Sequence, residues 1–157
     1  KKENHFPFSR LAVKVNNDMP LHVVQVLEDN SSKIISNSNI LICGVTYRPD
    51  VSDTRYSATE ILVSRLLEKG ANVFLHDPHL SFWQELSMEV NNFSHPPKSH
   101  NYDAIIMCVS HKEYKQIDIE TWFCNCDLII DANNVFTESQ TTILEDLEFP
   151  IHYIGRS

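Results

Sequence analysis

The chain has 157 residues, a formal net charge of −8, 42% hydrophobic residues and only three glycines, Gly44, Gly70 and Gly155. Average usage would supply about 7% glycine, or about eleven in this length. Three so widely spaced exclude a dinucleotide glycine fingerprint, a P-loop and a nucleophile elbow. The acidic balance argues against nucleic acid as a partner, and apolar runs of about six residues are too short to span a membrane.

Length and composition fit one globular domain that buries about 70% of the surface its unfolded chain exposes. The chain opens Lys1-Lys2, without methionine or a secretory signal pattern, and reads as a piece of something longer. Cys43 and Cys108 lie in apolar, strand-like runs, and Cys124 and Cys126 form a lone C-x-C. That usage fits a reducing, cytoplasmic setting and offers neither a disulfide scaffold nor a zinc framework, so no metal site is expected. His76 and His79 bracket Asp77-Pro78 and read as solvated loop positions.

Phe8 to Asn30 is helix-like but punctuated at 16–20, where Asp18 is positioned to cap a helix starting near Pro20. Ser31 to Asn39 is a polar connector. Ile40 to Val45 is a continuous apolar run, the mark of a strand buried on both faces. The loop Thr46–Tyr56 leads to a helix with Ser57 and Glu60 as a capping box and Gly70 as the left-handed stop. Its apolar face is read as Ala58, Ile61, Leu62, Leu66 and Leu67. Asn72–His76 is a second strand and Ser81–Glu89 a short helix carrying Phe82, Trp83 and Leu86. An irregular loop with Pro96-Pro97 precedes a third strand over Ala104–Val109. A short helix over Asp118–Phe123, a strand over Leu128–Asp131, a helix over Thr137–Leu147 and a last strand over Ile151–Ile154 complete the chain. The alternation predicts a doubly wound, Rossmann-like α/β fold: a mostly parallel five-stranded sheet with helices on both faces, preceded by a helical connector. Functional loops then gather at the carboxyl ends of the strands.

The loop after the first strand carries Tyr47, Arg48, Asp50, Asp53, Arg55 and Tyr56 ahead of a helix N-terminus. Guanidiniums beside oriented helix N–H groups make an anion site; an internal Asp53–Arg55 pair that only braces the loop explains the same residues equally well. Asp77 reads as a turn-forming Asp-Pro, because the ribose-gripping acid of a dinucleotide fold needs a glycine-rich turn that is missing. His111 has no nucleophile around it and reads as structural or solvated. Asp131-Ala132-Asn133-Asn134 serves a turn or a ligand equally well.

Taken together, Gly44-Val45-Thr46-Tyr47-Arg48-Pro49, Asp53-Thr54-Arg55-Tyr56-Ser57-Ala58, His76-Asp77-Pro78, Ser110-His111…Tyr114, Ile130-Asp131-Ala132-Asn133-Asn134-Val135 and Ile154-Gly155-Arg156 resemble, in order and spacing, the carboxyl-terminal domain of the UDP-glucose/GDP-mannose dehydrogenase family. The similarity runs from about Asn16 to the end. Members oxidise the C6 alcohol of a nucleotide-sugar to a carboxylate with two NAD, through a cysteine thiohemiacetal and thioester. The resemblance implies a helical connector over 1–38, the end of the family's central dimerisation region, and a UDP-sugar-binding domain over 39–157. It places Tyr47, Arg48 and Asn133 on the UDP-sugar and Arg55, steadied by Asp53, near the NAD pyrophosphate. NAD would be held mainly by an amino-terminal domain outside this chain, and the whole protein would be a homodimer. Arg48 stands where the family usually has lysine, Tyr56 and Ala58 replace the usual Glu and Pro, and Asn133 replaces an arginine. None of the four cysteines has the glycine-rich surroundings of the catalytic thiol, so no catalytic residue is expected here and the piece alone is predicted inactive. Met19-Pro20 leans towards UDP-N-acetylhexosamine relatives over UDP-glucose ones. A free-standing nucleotide-responsive or protein-binding module keeps the same fold and is the alternative. A receiver-like signalling domain is disfavoured, because Gly44–Tyr47 and Ser110-His111 stand where its acidic residues belong.

Overall fold

In the computed structural model, residues 7–96 and 100–155 are described; Lys1-Lys2, Pro97 and the Arg156 of the closing motif lie outside that range. Helix α1 (Pro7–Asn30) leads into strand β1 (Asn39–Cys43), helix α2 (Ala58–Glu68) and strand β2 (Asn72–His76). A two-stranded hairpin, β3 (Phe82–Trp83) with β4 (Met88–Glu89), precedes β5 (Ala104–Met107). A 3-10 turn (Tyr114–Gln116), α3 (Ile119–Phe123), β6 (Ile129–Asp131), α4 (Glu138–Asp146) and β7 (Ile151–Tyr153) follow. The five long-range strands run parallel in the order β2-β1-β5-β6-β7. The doubly wound, Rossmann-like parallel sheet read from the sequence is therefore the fold.

Strand periodicity splits the core in two. Ile40, Ile42, Ala104, Ile106, Leu128 and Ile130 face Val23, Val24 and Leu27 of α1 and Leu62, Val63 and Leu66 of α2. Their neighbours Leu41, Cys43, Ile105, Met107 and Ile129 face Trp122, Phe123, Tyr114 and Leu144 on the other side. Successive side chains of a strand point to opposite faces, so a run apolar at every position fills both layers. Covering both faces leaves no exposed flat side on the central strands.

Three local expectations are corrected. The chain does not break at Asp18; α1 continues through Pro20, which is buried. Proline removes the hydrogen bond to the Asn16 carbonyl, and packing of the Val23, Val24 and Leu27 face outweighs that loss. The stretch 81–89 is a hairpin instead of a helix: Ser87 takes a left-handed φ of 53°, its N–H donates to the Gln84 carbonyl, and Trp83 turns fully into the core. On α2 the buried residues are Thr59, Leu62, Val63 and Leu66, while Ile61 and Leu67 are 37% and 42% exposed. The face is set by Leu62, Val63 and Leu66 in the core, and it turns Thr59 inward, where its Oγ1 donates to the Gly44 carbonyl at 3.3 Å.

Other local signals hold. Gly70 (φ 84°) closes α2 with paired bonds from Gly70 N–H to the Leu67 carbonyl and from Ala71 N–H to the Leu66 carbonyl, the Schellman arrangement. Thr137 and Gln140 form the reciprocal capping box of α4. Ser57 caps α2 by accepting from Thr59 N–H, without the Glu60 half of the expected box. No described helix is long and apolar enough to cross a membrane.

Candidate functional site

After β1 the chain turns to β2 on one side, and β5, β6 and β7 fill the other, so the order reverses between β1 and β5. Open α/β sheets bind ligands in the crevice at such a switch point, outside the carboxyl ends of the strands. The loops part there, and Gly44 is the reason they can lie so close. A Cβ on Gly44 would stand 2.5 Å from the Val109 Cβ and 2.7 Å from its nitrogen, and φ at Gly44 is 92°. A crevice of about 310 Å³ opens beside this crossing, lined by Asn16, Met19, Pro20 and Val23 of α1, Ala58, Thr59 and Leu62 of α2, Cys108, and Ala132 and Asn133. Asn133 is anchored by its Nδ2, which donates to the Cys108 carbonyl at 3.1 Å. The turn that presents it hangs on Asp131, whose carboxylate accepts from the N–H of Val135 at 2.8 Å and of Asn133 at 3.3 Å.

Of the residues singled out from the sequence, Asn133 lines this crevice and Tyr47, Arg48, Asp53 and Arg55 do not. Those four lie on the loop over 46–57, with Tyr47 62% exposed and Arg48 also open to solvent. Arg55 clasps Asp53 through two parallel bonds, Nε to Oδ1 at 2.9 Å and Nη2 to Oδ2 at 2.7 Å. That guanidinium, with the Arg55 N–H, holds the Asp53 carboxyl down at about 2. The Asp53 carbonyl also accepts from Tyr47 N–H at 2.8 Å, which folds the loop back on itself. Tyr56 closes it in the left-handed region at φ 62°, a conformation a bulky side chain adopts only under constraint. Here the constraint is the helix start: Ser57 N–H donates to the Thr54 carbonyl and Ser57 Oγ to the Thr46 carbonyl.

Behind the loop lies a polar cluster that sequence reasoning missed. Asp77 is fully buried instead of serving only a surface turn, and it accepts from Val45 N–H at 2.9 Å, His79 N–H at 2.9 Å and His111 Nε2 at 3.1 Å. Burial pushes its carboxyl up, but the bonds from His111, His79 and Val45 outweigh burial and hold it below the ordinary value. His111 is also fully buried. Asp50 N–H donates to His111 Nδ1 at 3.0 Å, so the ring proton sits on Nε2, shared between Asp77 and Thr46 Oγ1. One carboxylate and one imidazole thus tie together the loops following β1, β2 and β5. The sequence held a clue in the pairing of His76-Asp77-Pro78 with Ser110-His111, but only the fold brings the two segments into contact.

His76, expected in solvent, is buried and packs between Phe93, Tyr114 and Trp122, with ring centroids 4.7, 5.6 and 5.2 Å away. Desolvation there lowers its pKa to about 4, against the opposing bond from Nε2 to the Phe93 carbonyl. The cysteines offer no activated thiol in the core: burial raises Cys43 well above its ordinary value and takes Cys108 and Cys126 up to about 12. A reactive thiol needs the opposite, an electropositive and accessible setting.

The family described as UDP-glucose/GDP-mannose dehydrogenase family, UDP binding domain, matches residues 41–138. The UDP-N-acetyl-D-mannosamine dehydrogenase of Methanocaldococcus jannaschii is 31% identical over 146 residues, covering 93% of this chain and 30% of that protein. The enzyme of the same name from Methanococcus vannielii is 28% identical over 145 residues, covering 88% and 33%. Among solved structures, NDP-N-acetyl-D-galactosaminuronic acid dehydrogenase from Methanosarcina mazei Go1 superposes with a TM-score of 0.74 at 24% identity, over 98% of this chain and 32% of that one. The chain thus spans about a third of the length of these relatives. With the switch-point crevice, the parallel sheet and the match over most of both, the chain belongs to the UDP-glucose/GDP-mannose dehydrogenase family and carries its UDP binding domain.

Proposed function

We propose that this chain is the nucleotide-sugar-binding part of an NAD-dependent UDP-sugar 6-dehydrogenase, with residues 1–38 as the connector and 39–157 as the binding domain. The observation that carries the reading is the switch-point crevice with Asn133 on its wall, flanked by a loop that holds two exposed arginines at a helix start. Arg48 and Tyr47 approach the diphosphate and the base or sugar of the ligand, and Asn133 contributes a neutral polar contact from the far wall. An exposed guanidinium is suited to bidentate clasp of a phosphate. The UDP-N-acetylhexosamine class is favoured, since both archaeal relatives carry UDP-N-acetyl-D-mannosamine in their names.

The chemistry NAD supplies when bound is acceptance of hydride. The chain's own turn after β1 leaves no room for a pyrophosphate, because Val109 fills the space over Gly44. What fits the cofactor is the rim: Arg55 is 76% exposed on its side chain and already held in one orientation by Asp53. The cofactor cradle and the catalytic thiol belong to a second domain, and this domain orients the nucleotide against it. The whole enzyme acts as a homodimer in the cytoplasm.

Calorimetric titration of the chain with UDP, UDP-glucose and UDP-N-acetylmannosamine tests the reading. Saturable binding of the UDP ligands, weakened about tenfold or more by Arg48→Ala, is the expected result. No binding of any of the three, or NAD reduction by this chain alone, overturns it.

A further inference from the structure

Beside the Asp77–His111 pair, four side chains from three loops converge. Asp50, His79, His111 and Glu113 each bring one ligand-type atom within 4.8 Å of all the others. His79 Nε2 stands 3.4 Å from Glu113 Oε2 and 3.8 Å from Asp50 Oδ1, and His111 Nδ1 stands 3.9 Å from the same Asp50 oxygen. Metal–ligand bonds of about 2.0–2.2 Å place tetrahedral ligand atoms about 3.3–3.6 Å apart. The two His79 distances therefore lie within a few tenths of an ångström of that spacing.

A second observation points to a ligand. His79 Nε2 and Glu113 Oε2 are shielded from solvent, and neither has a hydrogen-bond partner. The two atoms face each other at 3.4 Å without hydrogen-bond geometry, and an ion held between them would satisfy both at once. The surrounding atoms each have one partner, and a carboxylate oxygen that accepts one bond keeps a second lone pair for an ion. Glu113 Oε1 faces Lys112 Nζ at 3.9 Å, Asp50 Oδ1 accepts from Lys112 N–H at 3.0 Å, and His111 Nδ1 accepts from Asp50 N–H. His111 thus supports the site through the Asp50 main chain, and its lone pair is already used.

We propose that His79 Nε2 and the carboxylates of Asp50 and Glu113 form a binding site for a divalent first-row transition ion of the Zn²⁺ class. One imidazole with two carboxylates is a borderline-hard donor set that suits such an ion better than Mg²⁺ or Ca²⁺, which prefer all-oxygen shells. Three protein ligands leave a fourth position for water. The ion clamps the loops after β1, β2 and β5 at their outer ends, where Asp77 and His111 clamp them from within. Asp50 lies two residues beyond Arg48, so the ion also steadies the loop that carries the exposed arginines. The site does not rest on UDP-sugar binding, and either can fail without the other.

The test uses the chelator-stripped chain carrying Cys124→Ser, which removes the exposed thiol as a competing ligand. Zn²⁺ titrated by calorimetry is expected to bind with one equivalent and raise the melting temperature, while Mg²⁺ does neither. His79→Ala and Glu113→Gln are each expected to weaken Zn²⁺ binding about tenfold or more. Asp50→Asn, which keeps a residue tolerant of the φ of 59° at that position, weakens it too. Co²⁺ substituted for Zn²⁺ should give a four- or five-coordinate visible spectrum without a thiolate charge-transfer band. If His79→Ala does not fold, Glu113→Gln, whose side chain is 39% exposed, carries the comparison. Absence of saturable Zn²⁺ uptake, uptake unchanged in these variants, or a thiolate band overturns the proposal.

Discussion

Asp77 and His111 are wholly buried and 3.1 Å apart, whereas Asp53 and Arg55, paired bidentately on the same loop, are 44% and 76% exposed on their side chains. Both pairs join a carboxylate to a nitrogen base, yet they do opposite jobs. The buried carboxylate also accepts two main-chain N–H groups, so losing it leaves the Val45 and His79 N–H groups without a partner in a place water does not reach and His111 Nε2 with Thr46 Oγ1 alone. The exposed pair can exchange each of its bonds for water at little cost. One pair fixes where the loop is; the other keeps a guanidinium oriented while leaving it free to take a ligand.

The largest test removes the inner pair. Asp77→Ala is expected to lower unfolding free energy by about 3–5 kcal/mol, the usual consequence of breaking a buried pair on one side. Urea denaturation measures it, and a loss near that of an ordinary surface substitution would place the strength of the loop elsewhere. Next comes acid. His76 titrates at about 4 in the fold against 6.5 in the open chain, so the unfolded state binds more protons between those values. Stability therefore falls as pH drops from about 6.5 to about 4, by about 3 kcal/mol in total. His76→Gln should flatten that slope in a pH series of melts. Asp77 contributes in a separate window: its folded pKa lies below 3.8, so its stabilisation is complete above that value and is lost only as pH falls through the lowered one.

A third variant, Gly44→Ala, asks whether the inner pair has company in holding the switch point shut. The new Cβ would meet Val109 at 2.5 Å with φ at 92°, and a cost of about 2 kcal/mol with a shifted crevice is expected. Unchanged stability would mean that the two loops separate easily. The smallest effect belongs to the outer pair. Arg55→Ala is expected to leave the denaturation midpoint almost where it was, and a large drop would erase the contrast between the two pairs.

Much of the fold was legible in the chain. Apolar runs at 40–45, 104–109 and 128–131 announced buried parallel strands, Gly70 and Thr137 marked helix ends, and the spacing of weak motifs pointed to the family. Each is a local signal, encoded within a few residues. The failures share a different cause. Nothing near Ser87 or Trp83 distinguishes a hairpin from a helical turn until Trp83 finds its place in the core. Pro20 reads as a helix start until α1 is seen packed along α2. Asp77 before a proline looks the same whether it caps a turn or anchors three loops. The site was legible only in part: the loop over 47–55 stood out by its charges, while His79, His111 and Glu113 looked like scattered polar residues.

By itself, then, the sequence determined the layering, the strand count of the parallel sheet and the kinship, because hydrophobic periodicity, helix stop signals and short motifs act over short range. The scarcity of glycine also determined what this chain could not do, since a phosphate cradle needs backbone freedom that three isolated glycines do not provide. The tertiary structure decided which polar residues matter. Parallel strands bring loops that are far apart in the chain to one end of the sheet, and burial there turns an ordinary aspartate and histidine into the strut of the site.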